Sequence, residues 1–221
     1  MKPILTFDLN GTLTDTGALD ALFASAFGSA ERRREWYMQL IELAMNCTAT
    51  GQFIEFSKLS EAAIHMLAER YSVSLTQAQS AALTDRIRSL PPFPEVKSAL
   101  ETLRGNGYRL VVLTNSSQRG AELTLESGGI AEYFERVLSV ETVQTYKPWP
   151  QVYQAAARAL GVATSDLMMV AAHNWDTVGA MRAGCRGAFI TRPGEVLSPT
   201  DPRPEIIARD FLDLAAQLET A

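Results

Sequence analysis

The chain has 221 residues, 47% of them hydrophobic and 20% charged, with a formal net charge of −5 and a pI of about 5.2. That length suits one large domain, or a core carrying a smaller insertion, and the composition is that of a globular protein able to bury a real core. The mildly acidic balance gives no electrostatic case for nucleic acid or for an anionic membrane, though a locally basic site can still hold a small anionic substrate.

In chain order, residues 3–8 (PILTFD) form a short apolar run that ends in an acid, with a glycine turn soon after. This reads as a buried parallel strand. The run is too short for a signal peptide and no stretch approaches membrane-spanning length, so the expectation is a cytoplasmic protein. Residues 17–88 differ in character. ALDALFASAF, REWYMQLIELAM, FSKLSEAAIHMLAERY and LTQAQSAALTDRI all carry apolar residues at helical spacing. Ser74 and Gln77 have the spacing of a capping box and predict the start of the last of these helices. Three prolines in Leu90–Pro94 then mark a hinge.

Beyond the hinge, helix and strand alternate. EVKSALETLRGNG, RGAELTLESGG, PQVYQAAARALG, TVGAMRAGC and DFLDLAAQLE read as helices. YRLVVLTN, the segment around Val137 to Val140, DLMMVAA and GAFITR read as strands. The expected fold class is therefore α/β, a doubly wound parallel sheet of Rossmann-like architecture. Residues 1–14 and 91–221 would form the core, and 15–90 a helical domain inserted after the first strand. Cys47 and Cys185 lie far apart, without a CxxC pattern, and read as buried thiols in a reducing compartment. The loop from Arg192 to Pro204 suggests no chemistry.

In such sheets ligands bind at the carboxyl ends of the strands. Those ends carry Asp8, then Thr114, Asn115 and Ser116, then Lys147, then the segment His173 to Asp176. Each has a plain structural explanation by itself: Asp8, Thr114, Asn115 and Asp176 as turn or helix caps, Lys147 as a solvated lysine. Their coincidence at one edge favours a site.

Phe7–Leu13 (FDLNGTL), Val112–Asn115, Lys147–Tyr153 and Val170–Gly184 together resemble the four motifs of the haloacid dehalogenase (HAD) superfamily. The resemblance spans nearly the whole chain, and the helical insertion is similar to that family's cap domain. It implies Asp8 as a nucleophile that forms an aspartyl ester, Lys147 as the active-site lysine and Asp176 as the acid before a helix. Lys147 beside Asp8 would keep the carboxylate ionised.

Phosphatases of the superfamily carry a second Asp two positions after the nucleophile, where this chain has Asn10, and an acid four positions before Asp176, where it has Ala172. An amide cannot shuttle a proton, and a hard cation wants carboxylate oxygens. The motifs are closest to type II 2-haloacid dehalogenases, which need no metal or other cofactor; Mg²⁺ enters only if the phosphatase alternative holds. A fold that kept its ligand and lost turnover is the third reading. By resemblance Asn10, Thr12, Thr114, Asn115, Ser116 and Tyr153 contact substrate or halide. His173 stands where those enzymes carry Asn, and as a base on the hydrolytic water it would have Asp176 as orienting partner. Their cap arginine has no counterpart; Trp36 or Tyr37 falls near its place, with Phe53 and Phe56 as further apolar candidates for the pocket. The expected partners are a small anionic substrate and, from the resemblance, a second copy in a homodimer.

Overall fold

A computed structural model describes residues 2–220. Its sheet is built from β1 (Ile4–Phe7), β2 (Leu110–Thr114), β3 (Arg136–Ser139), β4 (Leu167–Ala171), β5 (Arg186–Ile190) and β6 (Ile206–Ala208). All neighbouring strands are parallel, in the order β3-β2-β1-β4-β5-β6. The order reverses between β1 and β4, so the crevice at their carboxyl ends is the ligand position such a sheet provides.

Burial on both faces explains why these strands read as continuous apolar runs. Along β2, Leu110 and Val112 enter one apolar cluster while Val111 and Leu113 enter the other, as a period of two requires. Helices α5 (Val96–Gly105), α6 (Gln118–Ser127), α7 (Pro150–Leu160), α8 (Asn174–Arg182) and α9 (Phe211–Glu219) flank the sheet. Between β1 and α5 lie α1 (Asp20–Phe27), α2 (Arg32–Thr50), α3 (Phe56–Arg70) and α4 (Gln77–Ile87). Phe23, Trp36, Leu40, Leu59 and Leu83 from these four helices belong to one buried cluster. The two chain passages joining them to the sheet pair with each other: Asp15 N–H donates to Pro91 O at 2.8 Å and Phe93 N–H to Leu13 O at 3.0 Å. No helix among the described residues is long and apolar enough to cross a membrane.

Two local expectations are corrected. The capping box at α4 is Thr76 with Gln79, each bonding the other's backbone N–H, and not Ser74 with Gln77. Both pairs have the same spacing, but Thr76 is the one with extended backbone at the helix entry. The stretch before α9 also holds a sixth strand, β6, only three residues long and paired to β5.

Candidate active site

Asp8 follows β1 directly, and its N–H donates to Val170 O on β4 at 3.0 Å. The chain then turns tightly, with the N–H groups of Leu13 and Thr14 both bonded to Leu9 O. Gly11 makes that turn possible with φ +80°, and a Cβ there would sit 3.0 Å from His173 Nε2. The turn carries Thr12 back beneath the acid: its hydroxyl donates to Asp8 Oδ2 at 2.7 Å and accepts from Ala172 N–H at 3.0 Å.

Lys147 is fully buried, and its ammonium has three acceptors: Asp8 Oδ1 at 2.8 Å, Asp176 Oδ2 at 2.6 Å and Leu113 O at 2.9 Å. A buried charge is tolerable only when paired and hydrogen-bonded in this way. Asp176, in the first turn of α8, accepts on its other oxygen from Tyr153 Oη at 2.7 Å. Lys147 N–H donates to Asn115 Oδ1 at 3.0 Å, which fixes the amide's orientation. Asn115 Nδ2 is then a buried donor with no acceptor among the described residues.

His173 precedes α8 as its N-cap residue, and its Nδ1 lies 3.2 Å from Asp8 Oδ2. Its ring is stacked between Tyr37 from α2 and Trp175, each at a centroid distance of 5.2 Å. Asn10 Nδ2 donates to Ser116 Oγ at 3.0 Å. Both line a cavity of about 300 Å³ between α2, α3, α4 and the start of α6.

Charge follows from this packing. Burial works to raise the Asp8 pKa, but the Lys147 ammonium and the His173 hydrogen bond and charge outweigh it and hold the carboxyl far below its ordinary value. Burial works to lower Lys147, and the two carboxylates overcome it, so the amine stays protonated. The same contest raises His173: burial opposes its charge, and the hydrogen bond and charge of Asp8 prevail. Asp176 is pushed up by complete burial against the pull of Lys147. Tyr37 and Tyr153 are raised well above 10.0, by burial first and then by the acids, and remain neutral donors.

The structure thus gathers Asp8, Thr12, Asn115, Lys147, Tyr153, His173 and Asp176 into one cluster, with Asn10 and Ser116 at its edge. Several expected roles are corrected. The partner of His173 is Asp8, not Asp176, because Asp176 turns inward to Lys147 and Tyr153. The Tyr153 hydroxyl is spent on Asp176, so it positions that acid and is not placed to touch substrate. Thr12, fully buried, holds Asp8 in place. Thr114 Oγ1 accepts from Ser116 N–H and shapes the turn after β2. Trp36 is 2% exposed, packs on Phe23 and donates to Ser60 O, so it forms cavity wall and interior of the helical insertion at once. Phe53 stacks on Tyr146 at 5.2 Å and leaves the cavity to Phe56.

One contributor escaped the sequence reading, and one alternative left open there is decided. Tyr37, and not Trp36, is the residue of α2 that covers His173. Arg192, in the loop read as inert, donates to Thr12 O at 3.0 Å and to Glu95 Oε1 at 2.6 Å, with its guanidinium 3.5 Å from the Phe93 ring centroid. It braces the turn behind Asp8, and nothing local in the sequence signals this. Arg34 bonds Gly194 O at 2.9 Å, tying α2 to that same loop.

Known proteins are similar to this chain along nearly its whole length. The (S)-2-haloacid dehalogenase of Pseudomonas sp. (strain YL) is 28% identical over 219 residues, covering 98% of this chain and 94% of that protein. The haloacetate dehalogenase H-2 of Moraxella sp. (strain B) is 29% identical, covering 93% of each. The crystal structure of the L-2-haloacid dehalogenase RSc1362 superposes with a TM-score of 0.94 at 28% identity, covering 99% of both chains. The family model for haloacid dehalogenase-like hydrolases matches residues 5–190, from the strand that delivers Asp8 to the end of β5, and the chain belongs to that family.

Proposed function

We propose that this hydrolase removes halide from a small 2-haloalkanoic acid through an ester on Asp8. The observation that carries the reading is the set of groups around the nucleophile: donors on every side, and no second carboxylate free for a cation. Position 10 is an amide, position 172 an alanine, and both Asp176 oxygens are taken by Lys147 and Tyr153. Among the described residues no group of three His, Cys, Asp or Glu side chains is arranged to hold a metal ion. Mg²⁺, which asks for several oxygen ligands, does not fit these residues. The dehalogenase relatives named above support the same branch.

The two Asp8 oxygens differ. Oδ2 accepts from Thr12 and faces His173 Nδ1, while Oδ1 accepts from Lys147 alone. Each carboxylate oxygen has about two lone-pair sites, so Oδ1 keeps one free and is the attacking atom. It forms a bond to the carbon bearing halogen as the carbon–halogen bond breaks, and the electron pair leaves with the halide. Asn115 Nδ2 is the unpaired donor that receives the departing anion; leaving it unpaired costs about 1–3 kcal/mol, which a halide offsets.

Water then attacks Asp8 Cγ. Negative charge collects on Oδ2, where Thr12 Oγ1 and His173 Nδ1 already point. The Cγ–Oδ1 bond breaks, and Oδ1 departs in the hydroxy acid next to the Lys147 ammonium. One water proton ends on the product hydroxyl, the other in solvent, and a water oxygen completes the restored carboxylate. In this account Asp8, Lys147, Asn115, His173 and Thr12 are catalytic, while Tyr153, Asp176 and Arg192 position them. Residues 15–90 act as the cap on a core of 1–14 and 91–221, with the paired passages at Leu13–Asp15 and Pro91–Phe93 as its joint. The direct test is halide release from each enantiomer of 2-chloropropionate in EDTA. The reading expects release that disappears in Asp8→Asn; activity only on phosphate esters with added Mg²⁺ would sink it.

A further inference from the structure

The cavity beside the site is large for a three-carbon substrate. A haloacid of six heavy atoms fills about the share of three to four waters, roughly 100 Å³, whereas the cavity measures about 300 Å³. Apolar side chains supply most of its wall, namely Trp36, Tyr37 and Leu40 from α2, Phe56 from α3, Ile87 from α4 and Leu123 from α6, while Glu61, Arg88 and Arg119 also line it. These side chains come from both sides of the paired joint, so the space is bounded by the helical insertion and the sheet domain together. Leu123 is 41% exposed although it lines the cavity, so an apolar face there stands open to solvent. Asp8 is outside the lining, but the cavity reaches Asn10, two residues beyond Asp8 along the turn, and Ser116, which is hydrogen-bonded to it. The reacting end of a substrate and its remainder therefore have separate places: the first among Asp8, Asn115 and Lys147, the second past the Asn10–Ser116 hydrogen bond.

Resting on the dehalogenase reading, we propose that the preferred substrate is a 2-halo acid with an extended apolar chain, six to eight carbons in all, whose tail lies in this cavity. A chain laid along these walls takes their apolar surface, and its own, out of water. Each one seated there is worth about fourfold in affinity or kcat/KM, so 2-chlorohexanoate, three methylenes longer than 2-chloropropionate, should be roughly 60-fold the better substrate.

The test compares these two acids as substrates, and the halogen-free acids hexanoate and propionate as ligands by calorimetry. Both comparisons are run on the wild type and on Thr84→Trp. Thr84 lines the cavity from α4, is half-buried and takes no part in the catalytic cluster. The indole should remove the advantage of the longer acid at least tenfold and leave 2-chloropropionate turnover within twofold. Halide release with equal kcat/KM for both lengths, and no effect of the indole, would overturn the proposal and leave dehalogenation standing. No halide from either acid would instead sink the dehalogenase reading. In that case the calorimetry still decides: tighter hexanoate binding that the indole abolishes supports an apolar-chain site, and equal binding of the two acids overturns it.

Discussion

Replacing His173 separates the two halves of the reaction. In Leu the Nδ1 donor disappears, and the buried Oδ2 keeps only Thr12 as partner. Loss of one donor from an oxyanion site costs about 10²–10³ in rate, or roughly 2.7–4 kcal/mol. That loss falls on ester hydrolysis, where charge gathers on Oδ2. Attack by Oδ1 changes far less, because Lys147 and Asn115 serve that step. Quenched-flow measurement of halide should therefore show one equivalent released per enzyme in a burst, followed by turnover slowed at least a hundredfold. Intact-protein mass spectrometry should find the ester accumulated. The Asn variant places an amide nitrogen near the lost Nδ1, so its steady rate should recover to within about tenfold of wild type. Steady turnover of the Leu variant within threefold of wild type, or slowing with no accumulated ester, would refute the assignment of His173 to Oδ2.

The same pair of groups gives a stability signature. His173 is raised in the folded protein, so its contribution is complete below its ordinary pKa of 6.5 and fades as pH climbs through the higher folded value. Calorimetric midpoints of wild type should therefore fall relative to His173→Asn above pH 6.5, and a constant difference would contradict the pairing with Asp8. Asp8, depressed in the fold, contributes above its ordinary value of 3.8 and loses that contribution as pH drops toward its folded value, so wild type should gain on Asp8→Asn as pH rises from strong acid. Lys147→Met leaves two buried carboxylates without their cation; a loss of about 3–5 kcal/mol, or roughly 6–20 °C in midpoint, is expected by the same calorimetry. Asn115→Ala should weaken product inhibition by bromide about tenfold or more, as removal of a hydrogen bond to an ion predicts, and unchanged inhibition would place the halide elsewhere.

The parts of this site that local sequence reveals are those delivered by strand ends. Asp8, Lys147 and Asp176 each sit where an apolar run or its following loop stops, so periodicity and glycine turns were enough to bring them to one edge. Their partners could not be read the same way. His173 and Asp176 are three residues apart and invite pairing, yet the helix begins at Asn174 and sends the histidine across to β1. Tyr37 and Arg192 reach the site from 27 and 180 residues away along the chain from their hydrogen-bond partners Asn10 and Thr12. Only the closure of the sheet and the docking of α2 bring them there. Strand β6 has three residues between a proline-rich loop and α9, too few for an alternating pattern to show. Capping at α4 was visible in kind and not in register, because Ser74 and Thr76 offer equivalent pairs and backbone geometry chooses between them.

The central claim is that Asp8 Oδ1 leaves the enzyme in the product and water replaces it. A single turnover of 2-chloropropionate by excess enzyme, in water labelled with oxygen-18 and with EDTA present, tests it most directly. The account predicts label in the carboxylate of the peptide containing Asp8 and none in the hydroxy acid. Label in the hydroxy acid with none at Asp8 would mean that water attacks the substrate itself, and would contradict the ester.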